Sequence, residues 1–263
     1  MGLDVGHLGG IQRERGLPGG GTGGARSLDS EGQAILLTAA TVIEKGRKAA
    51  SEALEAAPAD IVFEDGRFAI VGTDRGVDIL TLAATQRARA AKGEDVTTLD
   101  AAEVAEIKAH TFPNGCHIAE VEIDPDTGVT RVVRYCVTDD VGRAVNPLIV
   151  RGQVHGGVAQ GFGQALLERT AYDPESGQLL SGSFMDYALP RADDLPDIRV
   201  DLIEVPCTSN PLGVKGAGEA GAVGSPPAFI NAVVDALSSD GVTQIDMPAT
   251  PEVVWRALSG KAA

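Results

Sequence analysis

The chain has 263 residues, enough for one large domain or two ordinary ones, and 43% hydrophobic with 22% charged residues marks a soluble globular class rather than a disordered one. Its 37 acids against 22 bases give a formal net charge of −15, which argues against nucleic acid or an anionic membrane surface as partner. There is no apolar run of membrane-spanning length and no signal-like h-region at the start, so the default address is cytoplasmic.

Residues 1–24 carry ten glycines and no hydrophobic period. The end of that stretch, Gly19-Gly-Gly-Thr-Gly-Gly-Ala-Arg-Ser27, sets the donors of Thr22, Arg26 and Ser27 among glycines that expose backbone N–H groups. This combination suits a phosphate, and a flexible linker would have the same composition. A helix is predicted from Ser30 to about Ala57, with Ser30 and Gln33 as a capping box and Pro58 closing it. Ile61–Phe63 and Phe68–Val71 flank Glu64-Asp-Gly-Arg67, a hairpin signature, and a second helix covers Asp78 to Ala91. An exposed acidic connection follows to about Ala109.

From Cys116 the period changes to two, with Ala119, Val121 and Ile123 alternating with Glu120 and Glu122. Asp124–Gly128 then turns the chain into Val129–Val137, a long antiparallel hairpin. Asn146 is placed to cap a helix from Pro147 to about Glu168. That helix contains Gly152, Gly156, Gly157, Gly161 and Gly163, each costing about 1 kcal/mol against alanine, so it needs tertiary support. Val154, Val158, Phe162 and Leu166 form its apolar stripe. Gln153, Gly157, Gln160 and Gln164 form another, read either as a solvated face or as a close approach to a polar group. After a turn at Asp173–Gly177, Phe184, Asp186 and Tyr187 begin an irregular or strand segment ending at Pro190, a strand covers Ile198–Val205, and Thr250–Leu258 is a short helix with Trp255 as packing.

The densest signal is Gly213-Val-Lys-Gly-Ala-Gly-Glu-Ala-Gly-Ala-Val-Gly-Ser-Pro-Pro227. Gly216, Gly218 and Gly221 flank Glu219, and Lys215 lies four residues before it. Glycine is the costliest residue to order, so this density implies unusual backbone angles or backbone lying close against another group. Ser225 is read as the N-cap and Pro226 as the first position of a helix that Gly241 ends. Glu219 is then a solvated loop acid or a general base just ahead of a helix. Cys116, Cys136 and Cys207 form no metal-binding pattern and read as reduced buried thiols, and His7, His110, His117 and His155 are scattered, so no protein metal site is expected.

In order, Gly-Thr-Gly-Gly-x-Arg-Ser27, then Asp140-x-Gly-x-x-x-Asn-Pro147, Gly152-Gln-Val and Lys215-Gly-Ala-Gly-Glu-Ala-Gly221 resemble the C-terminal part of one family's large subunit. It is the molybdenum-binding subunit of the xanthine dehydrogenase, aldehyde oxidase and aerobic carbon monoxide dehydrogenase family. The resemblance runs from residue 19 to the tail and makes 19–263 a C-terminal molybdopterin-binding domain, with residues 1–18 an unmatched glycine-rich leader.

The resemblance implies a mixed α+β fold and a molybdopterin-type molybdenum cofactor, plain or in the cytosine dinucleotide form, whose dithiolene holds the metal. It assigns cofactor phosphate binding to Thr22, Gly23, Gly24, Ala25, Arg26 and Ser27. Ala25 stands where serine is commoner, one donor fewer. Gln153 takes the pterin; Lys215, Gly216 and Gly218 belong to the cofactor-binding loop. Glu219 becomes the general base, removing a proton as a water-derived oxygen attacks an electron-poor carbon of a small-molecule substrate. Partial desolvation in a glycine-walled pocket is expected to tune it, and Lys215, if close, to counteract that. The family further implies iron–sulfur and flavin subunits. It also implies a companion chain supplying the N-terminal half, since the family's subunit is far longer. Two other readings stand beside this one: a truncated, catalytically silent remnant, and a small phosphate-binding module built on residues 19–27.

Overall fold

A computed structural model gives the structure of residues 23–107 and 109–260. Thr22 and the 1–18 leader lie outside the described residues. The α+β class holds. Contacts divide the chain into two compact units, Leu28–Ala109 and the remainder.

The smaller unit contains α1 (Ser27–Leu54), β1 (Ile61–Glu64), β2 (Arg67–Ile70), β3 (Gly76–Asp78) and α2 (Ile79–Ala91). Its strands form an antiparallel sheet in sequence order, and Glu64 pairs with Arg67 across the Asp65-Gly66 turn, both of whose residues have positive φ. The third strand was not expected. Asp78 caps α2 by accepting from the N–H groups of Leu80 (2.8 Å) and Thr81 (3.2 Å). Ala49, Ala50, Ile61, Phe68, Leu82 and Leu99 make the core.

The expected capping box at Ser30 is a correction. The helix starts three residues earlier, and the Gln33 side chain donates to Asp29 (2.8 Å), a first-turn acid that complements the helix dipole.

The larger unit is built on β4 (Asn114–Ile123), β5 (Thr130–Asp140) and β6 (Ile198–Ile203). The hairpin β4–β5 is antiparallel from Asn114 opposite Asp140 to Ile123 opposite Thr130, and β6 adds to β5 in parallel. Helix α3 (Pro147–Phe162), extended by a π turn over Gly163–Leu167, and α4 (Ala220–Ala236) cover the sheet; α5 (Pro251–Leu258) closes the chain. Asn146 caps α3 as expected, accepting from Ile149 N–H at 3.2 Å. Val154, Val158, Phe162 and Leu166 are buried with Tyr135, Phe229 and Val233. The rings of Tyr135 and Phe162 both pack on Phe229, at 5.0 and 5.6 Å between centroids.

Two of the glycines of α3, Gly157 and Gly161, are explained by the neighbouring α4. A Cβ at Gly157 would stand 2.7 Å from the Ala222 nitrogen, and one at Gly221 would stand 2.5 Å from the Val154 carbonyl. The two helix backbones therefore touch, which only glycine permits.

Candidate functional site

Contact between α3 and α4 also moves the start of α4, a second correction. The helix begins at Ala220, not after Ser225, and Pro226 and Pro227 lie inside it. Gly221 must already be helical to seat against α3, so tertiary packing overrides the local Ser-Pro signal. Ser225 is fully buried, and its hydroxyl finds no partner among the described residues. Glu219 becomes the N-cap residue. Its carbonyl accepts from Val223 N–H at 3.0 Å, while its side chain caps none of the helix.

The loop ahead of Glu219 meets two other predicted segments. A Cβ at Gly216 would stand 2.9 Å from Ala25 Cβ, and one at Gly218 would lie 3.6 Å from Gln153 Oε1 and 3.8 Å from Ala25 Cβ. Ala25, Gln153, Gly216, Gly218 and Glu219 thus gather at one place. The turn that brings Ala25 there has left-handed backbone at Gly24 (φ 61°) and at Ala25 itself (φ 52°), costly for a residue with a Cβ. Gly23 and Gly24 are exposed; Ala25, Arg26 and Ser27 are half-buried.

Three expectations need revision here. Glu219 and Gln153 are both exposed, so the described residues of this chain do not wall in or desolvate the carboxylate. The four-residue stripe on α3 is not one surface. Gln153 faces the Gly218 loop and Gly157 lies beneath α4, whereas Gln160 and Gln164 line a separate groove of about 660 Å³ with Glu168, Tyr187 and Leu189. In that groove the Tyr187 hydroxyl donates to Glu168 at 2.8 Å, a bond that pushes the phenol pKa up. Finally, Cys116 is exposed and Cys136 and Cys207 are only half-buried, because β4 turns Cys116 away from the core.

Lys215 is spoken for. Its ammonium donates to Asp140 Oδ2 at 2.5 Å, with the two side chains 12% and 9% exposed. Asp140 Oδ1 accepts from the N–H groups of Gly142 (2.8 Å) and Val205 (3.1 Å). Burial pushes this carboxyl up, but Lys215 and the two N–H groups together outweigh it and hold the pKa below the ordinary 3.8. Backbone bonds complete the node: Lys215 N–H to Val141 O (2.8 Å) and Arg143 N–H to Gly213 O (2.8 Å). Gly142 has φ 66°, and a Cβ there would be 2.3 Å from Gly213 O, so the glycine two after Asp140 is required on both counts.

One cluster escaped the sequence reading. His117 Nδ1 lies 2.7 Å from the Tyr135 hydroxyl and Nε2 3.3 Å from Asp139 Oδ1. Burial first, and the Asp139 charge second, raise the Tyr135 pKa, so the phenol keeps its proton. The His117 ring thus bridges the Tyr135 hydroxyl and the Asp139 carboxylate. A Cβ at Gly224 would lie 2.6 Å from the His117 ring, which makes this cluster the floor under the first turns of α4.

The gathered residues can be tested against a flat polar heterocycle. Gly218 leaves exposed backbone bare of a side chain beside Gln153, which offers both an amide donor and an acceptor and whose side chain bonds no described residue. This surface fits. Among the described residues no group of three or more histidine, cysteine or acidic side chains is gathered to hold a metal ion, and no helix is long and apolar enough to cross a membrane.

Residues 13–196 match the family model for the molybdopterin cofactor-binding domain. The chain belongs to that family. It is 37% identical over 247 residues to the gamma subunit of the 6-hydroxypseudooxynicotine dehydrogenase complex of Paenarthrobacter nicotinovorans, covering 93% of itself and 31% of that relative. It is 37% identical to the carbon monoxide dehydrogenase large chain of Hydrogenophaga pseudoflava, covering 90% of itself and 30% of the relative. A solved Cu,Mo-CO dehydrogenase superposes with a TM-score of 0.82 at 32% identity, the match covering 91% of this chain and 30% of that one. The chain therefore spans about 30% of the length of the relatives it matches. These relatives are dehydrogenases, and one is by name a subunit of a complex.

Proposed function

We propose that this chain forms one wall of a molybdenum hydroxylase site, with Glu219 as its general base and a companion chain supplying the opposite wall. The observation that carries the reading is the meeting of Ala25, Gln153 and the Gly216–Gly218 loop beside Glu219. Gln153 would hold the pterin edge through its amide; the Gly216–Gly218 backbone would lie flat against the ring. The turn over residues 22–27, of which Thr22 is outside the described residues, would take the phosphate of the plain or cytosine dinucleotide form. Bound there, the cofactor supplies the two-electron oxidation of an electron-poor carbon.

This chain's own contribution is proton transfer and placement. A Glu219 carboxylate oxygen accepts the proton released as the water-derived nucleophile attacks, which typically contributes about two to four orders of magnitude in rate. The exposure of Glu219 and Gln153 means that the companion chain must exclude water from them. By family likeness, electrons would leave through iron–sulfur and flavin subunits.

In the complex reconstituted with that companion, Glu219→Gln should lower kcat by about two to four orders of magnitude with molybdenum content unchanged. Undiminished turnover would remove the base assignment. The same exposure favours a second reading, a catalytically silent remnant that binds neither cofactor nor substrate. Stoichiometric molybdenum and pterin in the protein purified alone would rule that out.

A further inference from the structure

Between Lys215 and Glu219 the chain reads Gly-Ala-Gly, a spacer with little intrinsic stiffness. Where the carboxylate sits is therefore decided by the anchors on either side. Downstream, α4 is fixed by Gly221 against α3. Upstream, the nearest side-chain anchor is the Lys215 ammonium on Asp140.

We infer that Asp140 is a positioning residue for Glu219, its two carboxylate oxygens dividing fold from site. Oδ1 binds the turn at Gly142 and the chain leaving β6 at Val205, which holds the architecture. Oδ2 takes Lys215, with Asn114 Nδ2 at 3.5 Å, and so fixes the loop that ends in Glu219. The role extends the reading of Glu219 as base and rests on it. Stability does not account for the pair. A buried ion pair is in general no more stabilising than neutral side chains of the same shape, so its presence at this node points to geometry.

The test separates the two oxygens. Asp140→Asn keeps an acceptor for Gly142 and Val205 but strands the Lys215 charge, so the informative variant is the double D140N/K215M, which removes both charges at nearly constant volume. In the full chain, its unfolding midpoint by Trp255 fluorescence should match the parent. Hydrogen exchange at the amides of positions 214 and 215, corrected for intrinsic rate, should accelerate about tenfold to a hundredfold, the range for one lost charge-assisted hydrogen bond.

In the reconstituted complex, kcat of the double variant should fall about tenfold to a hundredfold while KM and molybdenum content stay unchanged. A purely structural pair predicts parental kcat once both charges are gone, and that result would overturn the inference. Unaccelerated exchange at Val214 and Lys215 would overturn it too. Glu219→Gln measured alongside keeps the failures apart: parental kcat there removes the base reading, while the exchange data still decide whether Asp140 holds the loop.

Discussion

The two units handle charge in opposite ways. In Leu28–Ala109, the pairs Arg47–Glu44, Arg87–Asp100 and Arg89–Glu94 lie at or near the surface, over a core of alanine, leucine, isoleucine and phenylalanine. Such pairs are worth little, and apolar burial with local turns carries the unit. In the larger unit, Asp139 and Asp140, consecutive at the end of β5, are 2% and 7% exposed and grip His117 and Lys215. Buried polar groups cost free energy unless satisfied, so they accumulate where an arrangement must be unique. Those two carboxylates underlie the helix and the loop that meet at Glu219, whereas the buried carboxylate of the smaller unit, Asp29, takes the neutral amide of Gln33 one turn along its own helix.

The largest expected effect follows from Asp139. Its Oδ2 already lacks a partner among the described residues, and Oδ1 depends on His117. His117→Ala should cost about 3 kcal/mol, because it leaves both the Asp139 carboxylate and the Tyr135 hydroxyl buried without their shared partner. Trp255, the only tryptophan and a resident of the larger unit, gives the readout, and exchange at Phe68 reports the smaller one. Loss confined to Trp255 would sharpen the contrast between the units; a change below 1 kcal/mol, about the worth of a surface pair, would break it.

Next in size is helix contact. Gly157→Ala places a methyl against the backbone of α4 and should destabilise by about 1 to 3 kcal/mol. Gly152 lies in the same helix with nothing within 4 Å, so Gly152→Ala should stabilise by about 1 kcal/mol. Opposite signs by thermal unfolding would tie the tolerance for glycine in α3 to α4. Equal signs would return it to local propensity.

What the sequence made legible follows the same division. The Asp65-Gly66 turn, the helix from about Asp78, the Asn146 cap and the β4–β5 alternation depend on residues a few positions apart, and each stands where the pattern places it. The gathering of Ala25, Gln153 and the Glu219 loop was accessible only as ordered motifs, because no local rule brings them together. The start of α4 was misread since its determinant, the Gly157 backbone, lies far away in sequence. Asp140 could be seen as part of a motif but not as a tether, its partners Val205 and Lys215 being 65 and 75 residues on. His117 looked solitary for the same reason. An alternating strand shows which face is buried and not which side chains meet on it.

The smallest effect is the response to acid. Asp140 titrates below its ordinary 3.8 because Lys215 and the N–H groups of Gly142 and Val205 outweigh the opposing effect of burial. A folded-state pKa below the unfolded one gives stabilisation that is complete above 3.8 and is lost as pH falls through the folded value. Asp100 of the smaller unit is also held low, first by its bond from Arg87, but at the surface, where solvent and salt screen the gain. Below about pH 4, exchange at Val214 and Lys215, corrected for the intrinsic rate, should therefore accelerate while Phe68 keeps its protection. In D140N/K215M that acid-induced step should be gone, since no charge is left to lose; acceleration of both units together in the parent would mean that the buried tether responds to protons no differently from a surface pair.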